Sequence, residues 1–516
     1  MIRQSAASLQ TSTQWTFDVV DENDTKAFAH ALAPALQLGD IVTLSGDLGV
    51  GKTAFARALI RAVTEEDHLD VPSPTFTVVQ TYETKKFPLI HCDFYRLRDP
   101  EELIELGFDE LSDESLTLVE WASHAPDVER RAALDIHLSL KSGTHADGRR
   151  IIVTAKGALT DRIEPLMDVI TFLASQGWLN AEHQRIVGDA SGRFFERVRQ
   201  GDKTAILMHA PKPPAGPVLR DGKTYRSLAR LSDTLSSFVA MADALRNIGI
   251  SAPEIYAARA DKGLALVEDF GSDGLLQDGA PAPEKYREAV SVLARLHAAD
   301  RPQVIRFDHD SYRLPAYDLE PLLTEVGLFL EWYHPTCSQS ILTDESRTEF
   351  FKIWTDLIEP CLQDQQTWTL RDYHSPNLFW LEQRAGDQRI GVIDIQDAVY
   401  GHAAYDLASL LQDARVPIAE SLELELIKYY ADLCEAANPS FALDHFLHAY
   451  AIYGAQRVTK ILGIFVRLDQ RDHKPDYLKH LPHMRTYLRR NLSYPALAPL
   501  KNWFLRWSPE LFELAP

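Results

Sequence analysis

The chain has 516 residues, enough for two to four domains of roughly 100–200 residues each. With 45% hydrophobic and 25% charged residues it has the composition of a soluble globular protein, which excludes disorder, collagen and coiled coil. The net charge of −21 is spread over the chain: the first 155 residues carry 14 Lys and Arg against 25 Asp and Glu, the remainder 39 against 49. Neither part is a basic nucleic-acid binder, so a role near RNA requires a partner to supply the phosphate contacts or a small local basic patch.

No apolar run reaches the roughly 18 residues of a membrane span, and the N-terminus MIRQSAASLQTSTQWTFD lacks the apolar core of a secretion signal. The expectation is a cytoplasmic protein that does not engage a membrane. Cys92, Cys337, Cys361 and Cys434 form no CxxC pair and read as reduced thiols, and the 18 histidines show no zinc-ligand spacing.

In the first 155 residues DIVTLSG, PLIHCDF, LTLVEWA, LDIHLSL and RRIIVTA read as short strands, and TAFARALIRAV reads as a helix after the first. This alternation predicts a largely parallel sheet flanked by helices. The last two strands bracket the turn-rich KSGTHADG and are expected to close the domain as an antiparallel hairpin.

Gly46-Asp47-Leu48-Gly49-Val50-Gly51-Lys52-Thr53 fits GxxxxGK[ST] between the first of these strands and the helix. Glycines let backbone N–H groups wrap phosphates, the helix N-terminus favours anions, the Lys reaches the β and γ phosphates and the Thr can ligate Mg²⁺. Asp93 and Glu120 end two strands, where ligands of open α/β sheets bind, and can converge on the γ phosphate; singly, each could also be a surface acid capping the next loop.

Together with SPTFT (73–77), HCDFYRL (91–97), PEELIELGFDEL (100–111) and VEWA (119–122), this segment resembles the TsaE P-loop ATPases over about residues 15–155. Those proteins support synthesis of threonylcarbamoyladenosine in tRNA. The resemblance implies ATP and Mg²⁺ at Lys52 and Thr53, with Gly46, Asp47, Gly49, Val50 and Gly51 lining the nucleotide. It also implies Thr75 in a switch-like segment, Asp93 on the metal, Glu120 positioning the hydrolytic water and Trp121 beside the nucleotide. TsaB and TsaD would be its partners, and tRNA would be met only through them.

Beyond Ala155 a boundary is expected near residues 156–162, before the helix-like LMDVITFLASQGW. Strand-rich QRIVGDASGRFFERVR and KTAILMHA follow, then KPPAGPVLRDGK as a loop and SSFVAMADALRNIGI as an amphipathic helix. From about residue 283 helical periodicity dominates, interrupted by a hairpin of NLFWLEQ and RIGVIDI.

Asp372 and Asn377 are five residues apart, and Asp394 follows the hairpin. Kinase chemistry needs such a set: one Asp takes the acceptor hydroxyl proton while an Asn and a second Asp hold Mg²⁺ against the ATP phosphates. GDASGR (188–193), with Ser191 and Arg193, lies where a kinase fold puts its phosphate-covering loop.

Residues 165–516 resemble the aminoglycoside phosphotransferase-like kinases, and within them the AmgK group of N-acetylmuramate and N-acetylglucosamine anomeric kinases. GDASGRFF (188–195), EWY (331–333), RDYHSPNLFWL (371–381), GVIDIQDAVYGHAAYDLASLLQDAR (391–415), GAQRVTKILGIF (454–465) and YPALAPL (494–500) carry the match. The resemblance implies Asp372 as base, Asn377 and Asp394 as metal ligands and Glu331 as a sugar contact. One position departs: Met208 stands where the VAIK strand of kinases has its phosphate-pairing Lys. Either Arg193, Lys203 or Lys212 supplies the charge, or this half binds nucleotide in a modified way.

The expected architecture is α/β: a P-loop NTPase-like three-layer domain (1–155), a linker (156–164) and a bilobal kinase-like α+β domain (165–516). The expected function is bifunctional, an ATPase supporting tRNA threonylcarbamoylation fused to an amino-sugar kinase. A nucleotide- or sugar-binding module, or a kinase for another hydroxyl, is the alternative for the second half.

Overall fold

Every apolar run expected as a strand in the first 155 residues is one. The computed structural model describes residues 12–141, 148–186, 192–298, 301–307, 310–364 and 366–513. The chain divides into two bodies, Met1–Ile186 with Glu196–Ala205, and Val187–Phe195 with Ile206–Pro516.

The first body runs β1 (Ser12–Val19), α1 (Glu22–Leu32), β2 (Ile41–Ser45), α2 (Lys52–Thr64), β3 (Val79–Tyr82), β4 (Leu89–Asp93), α3 (Glu102–Glu105), α4 (Phe108–Asp113), β5 (Leu116–Glu120), α5 (Pro126–Arg131), β6 (Leu134–Leu140), β7 (Arg149–Lys156) and α6 (Ala158–Gln176). Its seven-stranded sheet has the order β1-β7-β6-β2-β5-β4-β3. The central strands β6, β2, β5 and β4 pair in parallel, and β6 with β7 forms the expected antiparallel hairpin. Antiparallel β1 and β3 complete the edges.

Strand residues alternate between two apolar layers, because successive side chains leave opposite faces of a sheet. Val42 and Leu118 join Phe28 of α1 and Phe55 of α2 on one face. Ile41 and Val119 join Phe108 of α4 and Val128 of α5 on the other.

Residues 158–176 form one helix where the sequence suggested a linker at 156–164 followed by the second domain. Leu159, Ile163, Met167 and Ile170 recur at helical spacing and are buried in the core of the first body with Phe17 and Phe28. The helix ends at Gly177, whose φ of +74° is the left-handed cap geometry that glycine takes without strain.

After α6 comes a five-stranded sheet of order β13-β14-β10-β9-β8, built from β8 (Glu182–Ile186), β9 (Phe194–Gln200), β10 (Lys203–His209), β13 (Ile255–Arg259) and β14 (Leu264–Val267). Between these strands lie the small hairpin β11 (Val218–Arg220) and β12 (Lys223–Thr224), which forms part of the expected loop, then α7 (Tyr225–Leu228) and α8 (Leu235–Asn247). The hairpin β15 (Leu276–Gln277) and β16 (Ala280–Pro281) leads to α9 (Pro283–His297), the hairpin β17 (Val304–Phe307) and β18 (Asp310–Arg313), and α10 (Leu319–Leu328).

A π-helical turn (Phe329–Tyr333), α11 (His334–Cys337) and α12 (Asp344–Cys361) follow. Next come β19 (Gln366–Thr369), β20 (Leu378–Trp380), β21 (Ile390–Val392) and β22 (Val399–His402), with β20 and β21 forming the expected hairpin. The helical part closes with α13 (Ala404–Leu411), α14 (Glu420–Ala437), the 30-residue α15 (Leu443–Asp472), α16 (Leu481–Asn491) and α17 (Ala498–Trp507). Among the described residues no helix is long and apolar enough to cross a membrane.

Candidate active sites

The phosphate-loop sequence lies between the C-terminal end of β2 and the start of α2, with Gly51 as the N-cap at φ +112°. Gly46 is held at φ +129°, and a Cβ there would stand 2.1 Å from the Leu138 carbonyl oxygen on β6. No side chain fits that approach. Lys52 Nζ donates to the Gly46 and Asp47 carbonyls at 2.8 and 2.9 Å and lies 3.9 Å from the Trp121 ring centroid. Burial lowers the Lys52 pKa, opposed by the carboxylates of Glu120, Asp93 and Asp47.

Asp93 and Glu120 are direct partners in the parallel pairing of β4 with β5, so both carboxylates arise at the C-terminal edge of the sheet. Glu120 Oε2 accepts the Thr53 hydroxyl at 2.9 Å, and His91 Nε2 lies 3.0 Å from Glu120 Oε1. Asp93 Oδ2 accepts from Ser73 Oγ at 2.9 Å and Thr75 Oγ1 at 2.7 Å, which ties the segment before β3 to this strand end. Trp121 follows at φ +60°, a strained position for a bulky residue.

Two further groups join this site without having been assigned roles from sequence. His91 is two residues before Asp93 on the same strand, hence on the same sheet face, and that spacing was the available signal. Arg149 opens β7 and donates from Nε to the Val50 carbonyl at 2.8 Å, a contact across 99 residues with no local signature.

In the second body the loop after β19 carries Asp372 and Asn377, and Asp394 follows β21. Asn377 Nδ2 donates to the Asp372 carbonyl at 3.0 Å and reaches Asp394 Oδ2 at 3.4 Å, so the three predicted residues converge. Arg371 and Asp394 both take left-handed backbone, at φ +67° and +58°. Such conformations persist where surrounding bonds impose them. The Leu370 and Arg371 amides donate to Asp406 at 2.6 and 2.8 Å, and Gln396 Nε2 donates to Asp394 Oδ1 at 2.5 Å.

Beneath this loop the buried Glu325 accepts from Arg371, from Lys460 Nζ at 2.8 Å, from Tyr317 at 2.5 Å and from Gln456 at 3.1 Å. Burial would raise the Asp372 pKa, but the charges of His374, Lys460, Arg457 and Arg371 outweigh it and hold the carboxyl below its usual range. Asp394 is shifted the other way: burial, then the Asp372 and Asp397 charges, push it up to about 6.

Met208 lies on β10 opposite Ala265 and is buried in the apolar core, so β10 presents no cation at that position. Of the three substitutes named from sequence, Lys203 and Lys212 are exposed, while Arg193 Nη1 lies 3.7 Å from Asp394 Oδ1. Ser191 lies outside the described residues. Glu331 is exposed on the π-helical turn, its pKa raised by desolvation against Arg467 and Arg347.

Residues 19–151 match the family model described as threonylcarbamoyl adenosine biosynthesis protein TsaE, and residues 182–442 match that of the phosphotransferase enzyme family. The chain is 37% identical over 350 residues to an N-acetylmuramate/N-acetylglucosamine kinase of Caulobacter vibrioides, covering 66% of this chain and 95% of that one. A kinase of the same name from Pseudomonas aeruginosa is 30% identical over 336 residues, 63% of this chain and 89% of its own. The tRNA threonylcarbamoyladenosine biosynthesis protein TsaE of Rickettsia bellii is 44% identical over 119 residues, 23% of this chain and 82% of its own. The chain therefore joins two families: it belongs to the phosphotransferase enzyme family through residues 182–442 and to the TsaE family through residues 19–151.

Proposed function

We propose that the chain is a bifunctional enzyme: an ATPase that supports tRNA threonylcarbamoyladenosine synthesis, fused to an ATP-dependent kinase for the anomeric hydroxyl of N-acetylmuramate or N-acetylglucosamine. The convergence of Asp372, Asn377 and Asp394 on one loop and strand end carries the kinase half of this reading. Asp372, kept ionised by its neighbours, accepts the hydroxyl proton as the sugar oxygen bonds to the γ phosphorus. The bond from that phosphorus to the β,γ-bridging oxygen breaks and ADP leaves.

Asn377 and Asp394 would hold Mg²⁺, which supplies charge neutralisation on the transferring phosphoryl group. The fit is chemical: both offer oxygen, and the Asp372 and Asp397 charges that add to burial in raising Asp394 are of the kind a cation relieves. Arg193 supplies the positive charge that Met208 cannot, and Ser191, two positions before it in the sequence, is its proposed companion in binding the phosphates. The Met208 substitution is also what favours a binding module as the second reading.

In the first domain Gly46, Asp47, Gly49, Val50 and Gly51 cradle the ATP phosphates, and Lys52 exchanges its two carbonyl bonds for phosphate oxygens. Thr53 and Asp93, both oxygen donors, would hold Mg²⁺ there. Thr75 senses the γ phosphate through its bond to Asp93, Trp121 flanks the nucleotide, and Glu120 orients the attacking water. TsaB and TsaD are the partners, and they contact the tRNA, in keeping with a net charge of −21 on this chain. The boundary between the two domains falls after α6, at about residues 177–181.

The test is phosphoryl transfer from ATP to a panel of amino sugars by the full chain, beside Asp372→Ala and Lys52→Ala. Sugar phosphate that disappears only with Asp372→Ala supports an independent kinase. ATP hydrolysis that depends on Lys52 without any sugar product leaves the second half a binding module or a kinase for another acceptor. For the first half, restoration of modified tRNA in a depleted strain by the full chain, but not by Lys52→Ala, is the expected outcome.

A further inference from the structure

On α15 the segment GAQRVTKILG packs toward the loop that carries Asp372, and its polar side chains are bonded with one exception. Gln456 donates to Leu322 and Glu325, Thr459 to Ala455, and Lys460 to Glu325. Arg457, between them, is only 4% exposed, and its buried Nη1 has no hydrogen-bond partner. Among the described residues its guanidinium makes no hydrogen bond and no ion pair. A buried cation in that state is costly unless an anion or polar ligand completes it.

Arg457 lies on the face of α15 one turn before Lys460, which bonds the Glu325 that holds Arg371 next to Asp372, and one turn after Gly454, which abuts Gln412 and Asn491; its charge acts on Asp372, His374 and Tyr487. Asp413, the other carboxylate acting on His374, is already occupied: it accepts the backbone N–H groups of Ser375, Arg415 and Val416. The charges shaping Asp394 come instead from Asp372, Asp397 and Arg193. Arg457 thus stands near the proposed base, where the acceptor places its hydroxyl, with five N–H donors in a fork that matches a carboxylate.

We infer that Arg457 is a specificity residue that binds a carboxylate of the acceptor sugar. The inference rests on the sugar-kinase reading above and deepens it. N-acetylmuramate is the lactyl ether of N-acetylglucosamine, so it carries a 1-carboxyethyl group, and with it a carboxylate, that N-acetylglucosamine lacks. Arg457 therefore makes the chain prefer the acid sugar, and the same bond orients the ring so that the anomeric hydroxyl meets Asp372.

The experiment compares kcat/KM of the full chain for N-acetylmuramate, its lactyl amide and N-acetylglucosamine, in wild type, Arg457→Lys and Arg457→Met. Wild type should favour the acid over the amide by about 10- to 100-fold, the worth of a charge-assisted hydrogen-bond pair. Arg457→Met should collapse that ratio to near unity, and Arg457→Lys, which keeps the charge without the fork, should fall between. The inference is overturned if wild type treats acid and amide alike, a result that needs no variant to fold. It is equally overturned if Arg457→Met loses all three sugars in the same proportion, which would assign the guanidinium to the phosphoryl group or to Asp372. Transfer by wild type to none of the three would overturn the sugar-kinase reading, and this inference with it.

Discussion

Thr53 donates its hydroxyl hydrogen to Glu120 at 2.9 Å, linking the first turn of α2 to the end of β5. His91 steadies the other carboxylate oxygen from a fully buried position. A hydroxyl held this way keeps its lone pairs free for a cation, while the carboxylate stays fixed in place to orient water. Glu120→Gln, which preserves shape but not charge, should lower ATP hydrolysis by roughly 100-fold or more. Nucleotide affinity, followed by the fluorescence of Trp121 as Lys52 leaves its ring, should change by only a few-fold. Equal losses in binding and turnover would contradict this division of roles.

Arg149 fixes the Val50 carbonyl, and because a peptide unit is planar and trans, the Gly51 N–H is thereby turned the opposite way, into the phosphate cradle. Removing the side chain in Arg149→Ala should weaken ATP binding by about 10-fold, the value of one hydrogen bond to a charged group at its lower end. Equilibrium titration with a non-hydrolysable ATP analogue measures it, and an unchanged Kd would show that the loop holds its shape alone.

The Asp394 carboxyl is pushed up to about 6 by burial first and then by the charges of Asp372 and Asp397, with Gln396 and Arg193 opposing. Asp394→Asn removes that repulsion, so the ligand-free variant should melt at a higher temperature than wild type while sugar phosphorylation falls by at least about 100-fold. Calorimetry beside the transfer assay checks both directions, and a variant that loses stability as well as activity would contradict the strain argument.

Asp18 faces Arg150 across β1 and β7 with bonds of 2.9 and 3.2 Å, and Lys141 adds a third at 2.9 Å. Hydrogen bonds from Arg150 and then Lys141 lower its pKa from 3.8 to about 2. The folded value lies below the unfolded one, so the stabilisation is complete above 3.8 and is lost as pH falls toward about 2. Asp18→Asn should cost about 1 kcal/mol at neutral pH, given its partial exposure. The gap to wild type in urea midpoints should narrow only below pH 3.8.

The parallel strands of the first sheet were legible because β2, β4, β5 and β6 are short runs dense in apolar residues. The edge strands β1 and β3 were not: along STQWTFDV only Phe17 and Val19 are buried, and along VQTY only Tyr82. An edge strand with one wet face carries too little apolar pattern to stand out. At the sites, Lys52, Asp93, Glu120, Asp372, Asn377 and Asp394 were visible because spacing along the chain encodes their chemistry. Arg149, Glu325 and Arg457 were not, because their positions matter only through contacts or unmet bonds that folding creates. Met208 was visible as a departure, but only geometry singled out Arg193 from Lys203 and Lys212.

Helix α6 bears on how this protein can be taken apart. A fragment stopping at residue 155 would discard Leu159, Ile163, Met167 and Ile170, each worth about 1.5–3 kcal/mol of burial and together on the scale of a domain's whole net stability. Such a piece would expose an apolar groove beside Phe17 and Phe28 and would be expected to aggregate rather than hydrolyse ATP. An ATPase half meant to live alone has to keep the helix through Gly177, and a kinase half meant to be soluble has to shed it.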